Sequence, residues 1–372
     1  MKKPRQQKNR FKGGKAEGMD SPETATLTLR IERINHLGLG VAKQNGVTYV
    51  LAGTLASELV RAKPLRRLDG FVQAQVLEVL EASPLRVSPL CSVFGRCGGC
   101  QLQHILYAEQ LRLKSAWLAL ALKNFPAAKI ETVQASPQSY GYRDRITLQH
   151  NRRQFGFYGP SGHELVAIDN CPIAQAEVNA HLTPALLQHA SPVEVRGSGL
   201  STPGQFTQVN PLMNERLIQT VRKLAGRGGD LLELYAGSGN FTLALAKEFR
   251  SVLAIEGHAQ SSREGRLKAI DSGLKKITFC SDDVHDAVFK LTQDLRKFDV
   301  IVCDPPRDGL LGAASYIGGL GAKRVIVISC HPVSFARDAT ALVLRGYKLV
   351  SVTPLDMFPQ TIHLEMVGLF TK

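Results

Sequence analysis

The chain contains no apolar run near the roughly 18 residues that cross a bilayer. Its basic start, Met1-Lys-Lys-Pro-Arg5, is followed by no apolar stretch of the secretory kind. Membrane insertion and secretion are therefore not expected, and disulfides are improbable for the seven cysteines. Repeats at the periods of a solenoid are absent. Acid is in short supply: 32 Asp+Glu face 46 Lys+Arg, which leaves a net +14 over 372 residues. That excess points to a polyanionic partner, nucleic acid first. Hydrophobic residues at 44% and charged residues at 21% exclude a disordered or fibrous chain. The length suits two or three domains at about 100–200 residues each. A cytoplasmic, monomeric protein with no membrane partner is the expectation.

The charge is unevenly placed. Lys2, Lys3, Arg5, Lys8, Arg10, Lys12 and Lys15 stand against only Glu17 and Asp20. Residues 1–23 read as a disordered basic arm, either holding RNA phosphates or merely solubilising. Residues 24–84 read as a small β-barrel. Its strands are Thr26-Leu-Thr-Leu-Arg-Ile-Glu32, Val47–Leu51 and Phe71–Leu80, with a glycine turn at Asn35–Gly40. Residues 85–200 read as a mixed α+β central domain, with a helix over Ala108–Asn124 and strands near Ile146 and Phe155. Between Tyr140 and Tyr158, five aromatic residues interleave with Arg143, Arg145, Arg152 and Arg153. Such a stretch suits base stacking, and equally a strand pair with its rings turned inward.

Residues 201–372 carry an α/β pattern from residue 229 onward. Apolar runs recur at Leu231–Tyr235, Val252–Glu256, Lys276–Cys280, Asp299–Cys303, Arg324–Ser329, Tyr347–Thr353 and Leu364–Phe370. Helical stretches between them imply a doubly wound, mostly parallel sheet. The first run ends in Tyr235-Ala-Gly-Ser-Gly-Asn240, a glycine turn that lets backbone approach a ligand. Glu256 follows Gly237 by nineteen residues, where an acid takes the hydroxyls of an adenosine ribose. The third glycine of a dinucleotide fingerprint is missing, which disfavours pyrophosphate. Asp304 precedes a rigid Pro305-Pro306 corner at the ligand edge. Asp282 and Asp283 close the third strand at the same edge, and either suits an adenine amino group.

Cys330, in Ser329-Cys-His-Pro332, also falls at that edge, with His331 and Arg337 nearby in sequence to favour a thiolate. Cys280 and Cys303 read as packed core thiols. A nucleophilic thiol beside a methyl donor suits one chemistry. Uracil C5 attacks a methyl group only after a thiolate has added at C6, and a base must then remove the C5 proton. Glu365, opening the last strand, is the candidate base if that strand runs antiparallel to its neighbours. The remaining thiols group as Cys91-x5-Cys97-Gly-Gly-Cys100, with Cys171 71 residues further on. Four cysteines suit an iron–sulfur cluster or tetrahedral zinc.

Taken together, these segments resemble the RNA uracil-5 methyltransferases. They are Cys91–Cys100, Gly204-Gln-Phe-Thr-Gln-Val-Asn210, Leu232-Glu-Leu-Tyr-Ala-Gly-Ser-Gly-Asn-Phe241, Asp304-Pro-Pro-Arg-Asp-Gly309, Ser329-Cys-His-Pro332 and Phe358-Pro-Gln-Thr-Ile-His-Leu-Glu365. The likeness is strongest to the iron–sulfur branch that acts on 23S ribosomal RNA, and it covers nearly the whole chain after residue 24. It implies a Rossmann-like class I S-adenosylmethionine methyltransferase domain and an OB-like RNA-binding barrel of the TRAM type at residues 24–84. It implies a 4Fe–4S cluster on Cys91, Cys97, Cys100 and Cys171, with Cys330 as nucleophile and Glu365 as base. It places Gln208, Tyr235, Asn240, Glu256, Asp304 and Asp283 against S-adenosylmethionine. The sequence departs from the family's pattern at His331, usually Asn, and at Gln360, usually His. A transfer-RNA uracil-5 methyltransferase would carry the same catalytic residues. A non-enzymatic RNA-binding factor is the alternative from another class. An RNA cytosine-5 enzyme is disfavoured because Arg307, not cysteine, follows Pro306.

Overall fold

The computed structural model describes residues 26–151, 153–201, 204 and 207–372. The basic arm, residues 1–23, lies outside the described residues, as do Arg152, Gln205 and Phe206. The chain divides into two compact units. The first ends at Pro89 and takes in Gln101–Leu106; the second comprises Leu90–Cys100 and Tyr107–Lys372. No described helix is long and apolar enough to cross a membrane.

The first unit holds a six-stranded sheet ordered Leu27–Arg30, Leu59–Leu68, Phe71–Glu81, Val47–Leu51, Gly40–Gln44, Arg33–Ile34. Only Ile31 and Glu32 separate the two edge strands in the chain, so the sheet curls until its edges are consecutive in sequence. Ile31 donates its N–H to the carbonyl of Glu58 and Glu32 donates to Val41, which ties that corner. Leu29, Ile31, Val41, Leu51, Val60, Ala62 and Val72 fill the inside. Sequence alternation locates the flanking strands but not Leu59–Leu68, the longest partner of Phe71–Glu81. That segment carries four basic residues and Pro64, which read against a strand. The pairing register shifts at Pro64, where a proline lacking its N–H is tolerated.

The second unit carries two sheets. Five antiparallel strands run in the order Leu165–Ala167, Phe155–Tyr158, Arg145–His150, Val193–Arg196, Gly199–Ser201. The aromatic residues of the Tyr140–Tyr158 stretch mostly turn inward: Tyr142 is buried, and Tyr140, Phe155 and Phe157 pack on the same apolar cluster. Arg145 is buried too, contacting Thr207 and Glu194 rather than solvent.

The larger sheet has eight strands, ordered Ile277–Cys280, Ser251–Ile255, Asp230–Leu234, Val300–Cys303, Arg324–Ser329, Glu365–Thr371, Lys348–Leu355, Lys129–Ile130. Every pair is parallel except the two made by Glu365–Thr371. Its central strands are apolar on both faces (Val300 to Cys303 are wholly buried), as expected of a parallel sheet covered by helices on each side. One exception stands in the first of them, Glu233. The short strand Lys129–Ile130 joins this sheet from the segment before the central strands.

The helix Tyr107–Ala121 starts and ends near its expected bounds but buries polar side chains, Gln110 and Lys114. Lys114 Nζ lies 2.6 Å from Asp356 Oδ1, with neither side chain exposed. It also donates to the carbonyl of Phe358 at 3.1 Å, and Tyr107 donates its hydroxyl to the other oxygen of Asp356 at 2.9 Å. A buried pair satisfied in this way fixes geometry more than it adds stability. Here it anchors the segment that leads into the last strand.

Candidate active site

The strand registers bring the expected residues to one edge. Leu234 is level with Ile255 and with Cys303, and Cys303 with Val327. The residues immediately beyond, Tyr235, Glu256 and Asp304, therefore line up at the carboxyl ends of adjacent parallel strands. Ligands of open α/β sheets bind at this edge. The last strand is antiparallel, pairing Met366 with Ser329. Its first residue, Glu365, thus sits beside Cys330, as the sequence argument requires. The helix Pro332–Val343 begins just after Cys330.

The turn after Asp230–Leu234 is built for close approach. Tyr235 adopts φ 61°, and Gly237 and Gly239 also have positive φ. A Cβ on Gly239 would meet side-chain atoms of Leu243 and Phe279 at 3.1 Å, a tight approach at a backbone angle, φ 91°, that side chains rarely adopt. Glu256 holds the turn: its two oxygens accept from the backbone N–H of Gly237 at 2.8 Å and of His258 at 2.7 Å. Each carboxylate oxygen keeps a further lone pair for a ligand hydroxyl. Asn240 pairs its amide reciprocally with Asn214 at 2.9 and 3.0 Å, which fixes its orientation.

Asp283 does not end a strand, since the third strand stops at Cys280. It caps the helix Val284–Gln293, accepting from His285 and Asp286 N–H groups, and it is exposed. Its charge helps raise the Tyr235 hydroxyl, after the larger effect of burial. Gln208 is half-buried. Its neighbours are pinned: Asp144 donates its N–H to the carbonyl of Val209 at 3.0 Å, and Arg145 contacts Thr207.

Around Cys330 the electrostatics run against ionisation. Burial, then the carboxyls of Glu365 and Asp304, push its thiol up to about 12. Burial raises Asp304 to about 7, and burial with Asp304 holds Glu365 well above the carboxylate range. The cation that favours the thiolate is Arg307. By sequence, that charge is expected of His331 and Arg337. His331 Nδ1 instead accepts from the N–H of Ser334 at the helix start, and Arg337 pairs with Asp338 at 2.8 Å and reaches the carbonyl of Asp308. Both side chains are occupied in holding loops.

Three residues of this edge are not singled out by the sequence argument. Arg307 is one. His363 is another, held down to about 4 by burial and by Arg307, Lys114, Arg143 and His331, so it is a neutral imidazole. Glu233 is the third: wholly buried, it accepts from Thr242 at 2.5 Å while its other oxygen lacks a partner, and burial raises it to about 8. Its signal in the sequence is an acid inside an apolar strand. For His363 it is a place two residues before Glu365.

A second constellation lies in the same unit. Cys91, Cys97, Cys100 and Cys171 pack into one apolar cluster with Tyr140 and Tyr142. Burial raises Cys97 and Cys171, and the charge of Cys91 adds to both. N–H groups of Ile173 and Ala174 favour a thiolate at Cys171, and that of Gly99 one at Cys97. Gly98 is obligatory: a Cβ there would lie 2.9 Å from the carbonyl oxygen of Tyr158.

This sheet, its glycine turn and the acid at its second strand define the S-adenosylmethionine-dependent methyltransferase fold. Residues 200–372 match the model of the tRNA (uracil-5-)-methyltransferase family. The 23S rRNA (uracil(1939)-C(5))-methyltransferase RlmD of Pseudomonas syringae pv. tomato is 30% identical over 96% of both chains. The enzyme of that name from Salmonella typhimurium is 30% identical, over 93% of this chain and 96% of its own. A solved structure, the Pyrococcus abyssi tRNA (uracil-54, C5)-methyltransferase with S-adenosyl-L-homocysteine, shares the fold. Its TM-score is 0.73 at 20% identity, over 93% of this chain and 100% of that one. The chain belongs to the RNA uracil-C5 methyltransferase family and is an RNA methyltransferase.

Proposed function

We infer that this protein methylates C5 of a uridine in 23S ribosomal RNA, using S-adenosylmethionine. The observation that carries the reading is the placement of Glu365 beside Cys330, one residue beyond the Ser329–Met366 pair of two antiparallel strands, at the ligand edge. The near-full-length likeness to 23S ribosomal RNA enzymes supports the substrate. A ribosomal substrate puts the site of action in the cytoplasm. The barrel at residues 24–84 fits a TRAM-type RNA-binding module, with Arg61, Lys63, Arg66 and Arg67 on one strand.

S-adenosylmethionine supplies an electrophilic methyl group on a cationic sulfur. Glu256 would receive its ribose hydroxyls, and Gln208, Tyr235, Asn240, Asp283 and Asp304 would line the rest of its pocket. The target uridine must leave its stack to reach the edge. Cys330 would give up its proton to solvent and add to C6 as the C5=C6 double bond opens to an enolate; C5 would take the methyl group, leaving S-adenosylhomocysteine; and Glu365 as carboxylate would remove the C5 proton as the C6–S bond breaks and the double bond re-forms. The acids Cys330, Asp304 and Glu365 share a space that disfavours several negative charges at once. A cation arriving beside them eases that cost, so the thiol becomes reactive when the pocket is filled.

The four clustered thiols fit a 4Fe–4S cluster on Cys91, Cys97, Cys100 and Cys171: soft ligands, an apolar surround and N–H groups aimed at sulfur. Methyl transfer needs no electrons, so the cluster serves structure.

Two measurements check the reading. Purified protein should transfer a methyl group to a 23S ribosomal RNA fragment and not to unmodified transfer RNA, read by mass spectrometry of nucleosides. Preference for transfer RNA would overturn the substrate, and transfer to neither would overturn the reading. A Glu256→Ala variant should bind S-adenosylmethionine about 10–100-fold more weakly by calorimetry, the cost of hydrogen bonds to a charged group.

A further inference from the structure

The stretch Gly141–Arg145 touches three parts of the second unit at once. On one side it pairs with the residues just after Cys171: Gly141 donates its N–H to the carbonyl of Pro172, and Arg143 to that of Ile173, both at 2.9 Å. The Tyr142 ring lies in the apolar cluster that contains Cys171 and packs Cys91, Cys97 and Cys100. On the other side the Tyr142 hydroxyl, in a side chain only 1% exposed, donates to the carbonyl of Pro359 at 3.1 Å. Two residues on, Asp144 bonds Val209, next to Gln208.

Pro359 belongs to the loop that delivers Glu365. That loop is bent at Gln360, which has φ 69°. The bend is held by side chains rather than by a regular element. Gln110 donates to Gln360 Oε1 at 2.9 Å and accepts the Gln360 N–H at 3.0 Å, while Gln360 Nε2 reaches the carbonyl of Ser139 at 3.3 Å. Asp356 and Phe358 are tied to Lys114. Among these contacts, the Tyr142 hydroxyl alone comes from a side chain that also packs against the cysteines.

We propose that Tyr142 is a positioning residue whose hydroxyl couples the four-thiol site to the loop carrying Glu365. The proposal rests on the reading of Glu365 as the base. Order at the thiol site holds the Gly141–Arg145 stretch through its pairing with Pro172 and Ile173. That stretch then holds Pro359, and Pro359 sets where the last strand begins. The four-cysteine site therefore acts on the reaction by fixing the base, not by exchanging electrons.

The test uses the full-length, iron-loaded enzyme and a Tyr142→Phe variant, which keeps the ring and removes the hydroxyl. Expected are an unchanged iron-to-protein ratio and faster amide hydrogen exchange over residues 356–361. kcat should fall about tenfold, since misplaced catalytic groups cost rate, with KM for RNA within about twofold. Chelating the iron from the wild-type enzyme should speed exchange over the same residues. Wild-type exchange and kcat in Tyr142→Phe would overturn the proposal. So would unchanged exchange over 356–361 in the chelated wild type, and this second comparison decides the matter if the variant loses its iron. A wild-type enzyme inert towards every RNA, with the exchange linkage intact, would instead count against the proposed function alone.

Discussion

Replacing Cys330 with alanine should reduce methyl transfer by about 10⁴-fold or more, because the nucleophile's bond to C6 is what makes C5 reactive. The denaturant-resistant protein–RNA adduct formed with wild-type enzyme should vanish with it. S-adenosylmethionine affinity should stay within about threefold of wild type, since none of the groups assigned to the donor depends on Cys330 for its position. A variant that still turned over would end the covalent mechanism. The thiol is half-buried and is pushed up to about 12 by desolvation and by two carboxyls. General thiol reagents should therefore label it slowly unless the donor pocket is filled.

Glu365→Gln should separate the two halves of the reaction. The amide keeps the shape and the hydrogen-bonding reach but accepts no proton. Methyl transfer to C5 remains possible, while release of the product slows by about 10²–10⁴-fold, the span ascribed to a positioned base. A methylated covalent adduct should accumulate and be visible as a shifted band and by mass spectrometry. Accumulation of unmethylated adduct, or rapid release, would assign the proton to another group, Asp304 first.

The same residue makes a statement about pH. Burial and Asp304 raise Glu365 well above its ordinary value, and Cys330 is raised as well. Both act in their deprotonated forms, so kcat should climb from neutral into alkaline pH. Stability moves the other way. An acid raised in the folded state adds stability that is complete below its unfolded value, about 4.5, and is lost as pH rises through the folded value. Wild-type enzyme should therefore melt below Glu365→Gln at neutral pH, with the gap widening as pH increases. A gap that closed with rising pH would contradict the shift.

Several parts of this arrangement are legible in the residues. Apolar runs at strand spacing locate the seven long strands of the larger sheet to within a residue or two at most ends. A strand buried on both faces is written as a continuous apolar run, and local patterning suffices to find it. The edge residues follow from their places at the ends of those runs, Tyr235 and Glu256, or just past them, Asp304 and Cys330. Other strands escape detection for a physical reason. Leu59–Leu68 is basic, contains Pro64 and has only half its residues turned inward, so its stability comes from the partner Phe71–Glu81. Lys129–Ile130 is two residues long and exists as a strand only because Lys348–Leu355 offers it an edge.

The chain's chemistry was set by sequence: which side chains can add to C6, take a proton, hold a ribose or bind soft metal. What tertiary structure decided is the state of those groups. For His331 and Arg337, nearness along the chain did not decide which hydrogen bonds and ion pairs their side chains formed. Their side chains were drawn to Ser334, Asp338 and Asp308, and Arg307 took the place beside the thiol. The elevated Asp304, Glu365 and Glu233 arise from desolvation by residues far apart in sequence, and no local pattern encodes that. The hold on the Glu365 loop is likewise made of contacts spanning 217 to 250 positions, from Tyr142, Lys114 and Gln110. Such pairs cost chain entropy to bring together and are formed only when the whole fold is in place.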